Sequence, residues 1–171
     1  MDFFDLVASR ESIRSYDPQR PLTQEVLVQL LEAGRLAPSA ANRQPWQFIV
    51  VSSEAKLAEI RTAYTRPWFA DAPHVLVIVG NKEQSWKRSD GYDSIETDLA
   101  IATVHLILAA ESLGVGTCWI GNFDYDVVRS ILELNDNEVV FALIPLGYPK
   151  AGFEKKDVKV RKAFDEVVKF I

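Results

Sequence analysis

Apolar residues recur along this chain with two different periods, and the switching between them marks out its elements. Residues 2–9 put Phe3, Leu6 and Val7 on one side of a short helix. Thr23 is an N-cap candidate for a second helix carrying Val26, Leu27, Leu30, Leu31 and Ala33. That helix must stop before Pro38, because a residue preceding proline is driven away from helical angles. Residues 46–51 are rich in strand formers, and residues 53 to about 63 predict a helix. Residues 75–80 are an unbroken apolar run of strand length, which predicts a buried central strand. Residues 81–93 are polar without a period and predict a loop. The longest helix follows, from about 94 to 113, closed by Gly114 where a left-handed residue is wanted. A strand over 116–121, a helix over 124–132 and a strand over 139–146 complete the series, before Gly147, Tyr148 and Pro149 end it. The tail from Lys150 is basic, and 163–171 reads equally as helix or strand.

The first strand comes only after two helices, so the series is not a regular alternation of strand and helix. The expected architecture is α+β: a sandwich with a mixed central sheet flanked by helices, formed by residues 1–171 as a single domain. So apolar a helix as 94–113 needs cover on nearly every side, and a second copy of the chain could supply part of it.

Composition narrows the chemistry. The chain has 171 residues, 48% of them apolar and 25% charged, with a formal net charge of −5. An acidic chain without a run of four basic residues repels a nucleic-acid backbone, so no nucleic-acid partner is expected. One cysteine, Cys118, excludes an internal disulfide, and two histidines beside it are too few for a zinc site, so no metal is expected. The acidic start lacks the basic opening of a secretion signal, and the longest apolar stretch is too short to span a bilayer. No membrane association and a cytoplasmic location are expected.

Three segments carry candidate chemistry. In Arg10-Glu11-Ser12-Ile13-Arg14, two guanidinium groups and a hydroxyl could converge on one phosphate; a solvated basic turn would carry the same residues. The loop Ala37-Pro38-Ser39-Ala40-Ala41-Asn42-Arg43-Gln44-Pro45-Trp46 combines small residues with the two-way hydrogen-bonders Asn42 and Gln44, which suits a planar ligand with polar edges. It could also be a plain helix-to-strand connection. The third segment, Gly114-Val115-Gly116-Thr117-Cys118-Trp119-Ile120-Gly121, fails as a dinucleotide fingerprint: Trp119 stands where the third glycine belongs, and the glycines follow a helix rather than a strand. Its useful feature is exposed backbone at Gly121.

Taken in order, with Gly147-Tyr148-Pro149 and the basic tail, these segments resemble the nitroreductase family of FMN enzymes over essentially the whole chain. The resemblance implies a homodimer with a flavin between subunits. Arg10, Arg14 and the tail's Arg161 would hold the FMN phosphate, with Ser12 beside it. Pro38, Ser39, Ala40 and Asn42 would reach ribityl and phosphate from the partner subunit, with Gln44 in the same loop. The Ile120 and Gly121 backbone would face the reactive edge of the ring. The implied activity is an FMN-dependent oxidoreductase. NADH or NADPH would deliver hydride and leave before a nitroaromatic, quinone or similar electron-poor acceptor takes its place, in a ping-pong sequence. No protein residue is expected to act as catalyst, because the flavin carries the chemistry.

The chain is short for the family, which implies that helical insertions over the flavin are missing, and Arg66 is a candidate for the flavin's pyrimidine edge. Trp68, Phe69, Trp86 and Phe123, with Tyr64 and Tyr92, are candidates for lining the acceptor site, the alternative for each being core or interface packing. Cys118, His105 and His74 read as packed residues, with redox or proton-transfer roles as the alternative. Glu133, Asp136 and Glu138 read as a solvated acidic patch. Competing functions are another FMN reaction on this scaffold (dehalogenation, ring dehydrogenation or flavin breakdown) or a flavin-free ligand-binding or interaction module.

Overall fold

The computed structural model describes residues 1–156 and 159–171. Its helices are α1 (Phe3–Ser9), α2 (Gln24–Arg35), α3 (Glu54–Thr62), α4 (Pro67–Ala70), α5 (Ile95–Ser112), α6 (Tyr125–Leu132) and α7 (Phe164–Val167). The strands are β1 (Trp46–Val51), β2 (His74–Asn81), β3 (Gly116–Thr117) and β4 (Glu138–Gly147). Side-chain caps set four of the helix starts, the first being Asp2, which accepts from the Asp5 amide. Thr23 accepts from the Val26 amide, Ser53 from the Lys56 amide and Asp124 from the Val127 amide.

The sheet runs β1-β2-β4-β3, and every strand pair in it is antiparallel. The mixed character expected of it is confined to one isolated parallel bridge, Ser12 with Thr117. Strand β2 is buried on both faces, which is why its sequence is apolar without alternation. Leu76 and Ile78 face one core with Leu27, Leu30, Leu99 and Leu106 of α2 and α5. Val75, Val77 and Val79 face another, with Leu57, Ile60 and Val128 of α3 and α6. The sheet is therefore covered on both sides, as an α/β sandwich. Helices α2 and α5 pack unusually close, since a Cβ on Gly34 would stand 2.7 Å from Leu106 Cγ.

The strand expected over 116–121 is broken after Thr117. Gly116 pairs with Gly147 and Thr117 with Leu146, and the same register resumes at Ile120 with Leu143. That register puts Pro145 opposite Cys118, where β4 has no N–H to donate, so the ladder lapses for two residues. Residues 163–171 form the single helical turn α7 followed by extended chain, with Phe164, Val167, Phe170 and Ile171 exposed. Among the described residues no helix is long and apolar enough to cross a membrane.

Candidate functional site

The segment after α1 runs extended rather than helical. The Ile13 amide donates to the Thr117 carbonyl at 2.8 Å, and Ile13 and Tyr16 turn into the core. A period of two then sends Ser12 and Arg14 outward. Arg10, Ser12 and Arg14 thus share one side because the chain is extended there.

The basic tail returns to this segment through two anchors. Lys155 pairs with Glu111, a buried acid in the last turn of α5. Lys159 Nζ donates to the carbonyls of Ala8 and Arg10, at the carbonyl end of α1 where a cation is favoured. Arg10, Ser12, Arg14, Lys156, Lys159 and Arg161 then line an open cleft of about 520 Å³, with Glu11 and Glu154 as its acids. Among the described residues, Arg10, Arg14 and Arg161 form no salt bridge. Partial desolvation, and then the charges of Arg10 and Arg161, push the Lys159 ammonium below the ordinary lysine range. Such a concentration of unpaired positive charge fits a phosphate-bearing ligand. Lys156 and Lys159 were visible in the sequence only as part of a basic tail; nothing local marked them as facing Arg10.

Arg14 also lies over an aromatic group, its Cζ 5.9 Å from the Trp68 ring centroid. Trp68 is half-buried and contacts Tyr16, Tyr64 and Phe69. Phe69 has 0% exposure, so of its two readings the structure supports core packing and not a place at the acceptor site. Its ring turned inward because α4 presents opposite faces to solvent and sheet within one turn. Cys118 is buried behind Ser12 and Arg14, and burial raises its thiol despite those neighbours. The packed reading of this cysteine agrees with its place in the core.

The loop over residues 38–44 sits elsewhere. Ser39 is extended, residues Ala40–Asn42 make a short 3₁₀ turn, and Ala41, Asn42 and Gln44 adopt φ of +50°, +53° and +50°. Left-handed backbone at three non-glycine residues is strained and persists only where surroundings enforce it. Here the Gln44 amide donates to Ser39 Oγ at 2.9 Å, Gln44 Nε2 reaches Asn42, and the Ala40 amide donates to buried Asp98 at 2.8 Å. Asp98 was passed over in the sequence, although an acid inside a largely apolar helix is a recognisable signal.

Asp98 and Glu111 mark opposite ends of α5. Thirteen residues at about 1.5 Å each separate the loop from the cationic cleft by about 20 Å along the helix. A single chain does not bring Arg10, Ser12 and Arg14 together with Ser39, Ala40, Asn42 and Gln44. Trp86 lies at the loop's end of α5, hydrogen-bonded through its backbone to Ser94, and so stands apart from Trp68.

Ile120 exchanges both backbone hydrogen bonds with Leu143, at 3.0 and 3.1 Å, so its amide is committed to the sheet. The exposed Gly121 amide has no partner among the described residues, and a Cβ there would meet nothing within 4 Å. Phe123 is half-buried against the α3 and α6 core. Arg66 caps α4 and is exposed. His74 is buried between strand and loop: the Leu22 amide donates to its Nε2 at 3.0 Å, and its Nδ1 lies 2.7 Å from Ser52 Oγ. Among the described residues no group of three acids, histidines or cysteines could hold a metal ion.

The fold is shared with known proteins. An Archaeoglobus fulgidus protein, provisionally named an NADH dehydrogenase/NAD(P)H nitroreductase, is 35% identical over 150 residues, covering 85% of this chain and 84% of its own. A solved nitroreductase family protein of Clostridium difficile superposes with a TM-score of 0.91 at 29% identity, covering 99% of this chain and 98% of that one. More distantly, an iodotyrosine deiodinase of Thermotoga neapolitana is 22% identical over 92% of this chain and 96% of its own. The family model described as Nitroreductase family matches residues 7–65 and 57–148. The chain belongs to the nitroreductase family.

Proposed function

We propose that this protein is an FMN-dependent NAD(P)H oxidoreductase that works as a homodimer and reduces nitroaromatic, quinone or similar electron-poor acceptors. The observation that carries the reading is the cationic cleft, with three guanidinium groups free of carboxylate partners among the described residues. A flavin phosphate of about −2 charge is a suitable counterpart. Arg10, Arg14 and Arg161 would hold it, with Ser12 adding a hydroxyl. Gly121, rather than Ile120, would offer a backbone amide to the ring, because the Ile120 amide is already spent on Leu143. Bound FMN would supply the redox chemistry, accepting hydride from a reduced nicotinamide and passing electrons to the acceptor.

The separation along α5 supports the dimer. A second copy, turned end for end, could bring its 38–44 loop to the first copy's cleft. Apolar surface beside the cleft supports this: Phe4, Val7, Val104, Leu108 and Trp119 line an open groove of about 790 Å³ that shares Arg10 and Arg161 with the cleft. Such a surface wants cover. The ring would then lie near residues from both copies.

A yellow preparation that sediments as a dimer and bleaches under nitrogen with NADH or NADPH is the expected result. A colourless monomer that takes up no added FMN would overturn the proposal. Reductive dehalogenation is the second reading, favoured by the deiodinase relative, and a panel of halophenols against quinones and nitroaromatics separates the two.

A further inference from the structure

Asp98 is 1% exposed, and its carboxylate is used on both oxygens. Oδ1 accepts the Ala40 amide at 2.8 Å and Oδ2 accepts the Ser94 hydroxyl at 2.7 Å. Ser94, itself buried, accepts the Trp86 amide on the same hydroxyl at 3.2 Å and donates its own amide to the Trp86 carbonyl at 2.9 Å. One carboxylate therefore ties two loops, at residues 38–44 and 81–93, to the first turns of α5. A buried carboxylate is unfavourable without such partners, and its place near a helix N-terminus helps to keep it. Its partner Ala40 immediately precedes Ala41, Asn42 and Gln44, the residues with φ near +50°. Among the described residues the other hydrogen bonds of that loop run within it, from Gln44 to Ser39 and Asn42, from the Asn42 amide to the Ser39 carbonyl and from the Arg43 amide to the Ala40 carbonyl. Among the described residues, Asp98 is the buried side chain that fastens the strained backbone to the body of the protein.

We propose that Asp98 is a positioning residue for cofactor binding: it holds the 38–44 loop in the shape it presents to the flavin, without touching the flavin itself. This rests on the FMN-dimer reading above and adds a residue to it. Loss of the Ala40 bond frees the loop to relax toward ordinary backbone angles, which withdraws Ser39, Ala40 and Asn42 from their ligand-facing arrangement. Asparagine can replace the acid, because its amide oxygen can accept from Ala40 while its NH₂ donates to Ser94 Oγ.

The test uses Asp98→Ala, Asp98→Asn and Ala40→Pro in the full chain. The proline removes the same bond from the loop side without opening the core. It fits the first position of a 3₁₀ turn and follows Ser39, whose φ of −140° and ψ of 159° suit a residue before proline. Two readouts are taken: FMN affinity by quenching of free-flavin fluorescence, and tryptic cleavage after exposed Arg43 in flavin-free protein. Asp98→Ala and Ala40→Pro are expected to weaken FMN binding about 10- to 100-fold, the consequence of one lost buried hydrogen bond, and to speed cleavage after Arg43 about tenfold or more. Asp98→Asn is expected to stay within about threefold of the parent on both. If both disruptive variants keep parental affinity and cleavage, the proposal falls. It falls equally if cleavage rises while affinity holds, or if Asp98→Asn is as damaged as Asp98→Ala. Should Asp98→Ala not fold, Ala40→Pro decides alone. Should the parent bind no FMN, the oxidoreductase reading fails, and the cleavage ratio still decides whether Asp98 holds the loop.

Discussion

Glu111 accepts the Ser9 hydroxyl at 2.7 Å from the last turn of α5, and pairs on the same oxygen with Lys155 of the tail. Both walls of the cationic cleft, the segment from Arg10 and the tail toward Arg161, are thereby fastened to one buried carboxylate. Glu111→Ala leaves Ser9 and Lys155 without that partner. A loss of about 1–3 kcal/mol of stability is expected, the usual cost of stranding such partners. Urea unfolding measures it, and FMN affinity should fall in parallel because the walls separate. Unchanged affinity in a folded variant would detach the tail from the site.

Arg10→Ala, Arg14→Ala and Arg161→Ala should each weaken FMN binding by about 10- to 150-fold, as expected for a lost charge-assisted hydrogen bond. Binding should also weaken as salt is raised, since the cleft is open to solvent. Arg14→Lys should recover little, because an ammonium neither forks onto a phosphate nor stacks on Trp68 as a guanidinium does. Isothermal titration with FMN at two salt concentrations checks all four variants.

Trp68 and Phe69 are neighbours with different fates, and their variants should separate cleanly. Phe69→Ala empties a fully buried position and should cost about 3–5 kcal/mol of stability. Trp68→Ala should cost less and raise the KM for acceptor, because Trp68 lies beneath the guanidinium of Arg14, which lines the cleft. Steady-state kinetics with a quinone, alongside thermal unfolding, reads both effects. A Trp68→Ala enzyme with parental KM would remove this residue from the acceptor site.

His74 makes stability depend on pH. Burial pushes its pKa below the ordinary value of 6.5, and the Leu22 amide donating to Nε2 requires the neutral ring. Above 6.5 the imidazole is neutral folded and unfolded, and contributes no pH dependence. As pH falls through 6.5 the unfolded chain takes the proton first, so stability declines, by up to about 1.4 kcal/mol for each unit of depression. Urea midpoints between pH 7.5 and 5.5 should fall in the parent and fall less in His74→Gln. Parallel curves would show that His74 does not couple to folding.

Kinetics with NADH or NADPH and a quinone should give parallel double-reciprocal lines, as donor and acceptor would occupy one face in turn. Intersecting lines would mean that both bind together, and would remove the ping-pong sequence from the proposal.

Much of this protein is written locally. The caps at Thr23, Ser53 and Asp124, the apolar run of β2 and the glycine after α5 specify elements through neighbours a few residues away, so period and capping chemistry sufficed to place them. The ordered motifs at residues 10–14, 38–46 and 114–121 were likewise legible, because each is a short segment with its own residue chemistry. What tertiary structure alone decided depends on partners far along the chain. Pro145 interrupts β3 at Cys118 only because the sheet register sets them opposite each other. Phe69 turned into the core while Trp68 stayed half-buried, a choice made by what α4 packs against. Asp98 became the anchor of a loop 58 residues away, and Lys159 reached Arg10 across 149. The length of α5 then held the two candidate segments at its opposite ends. A period or a cap acts over one or two turns of backbone; distances between such segments are set by packing, which the linear order of residues does not display.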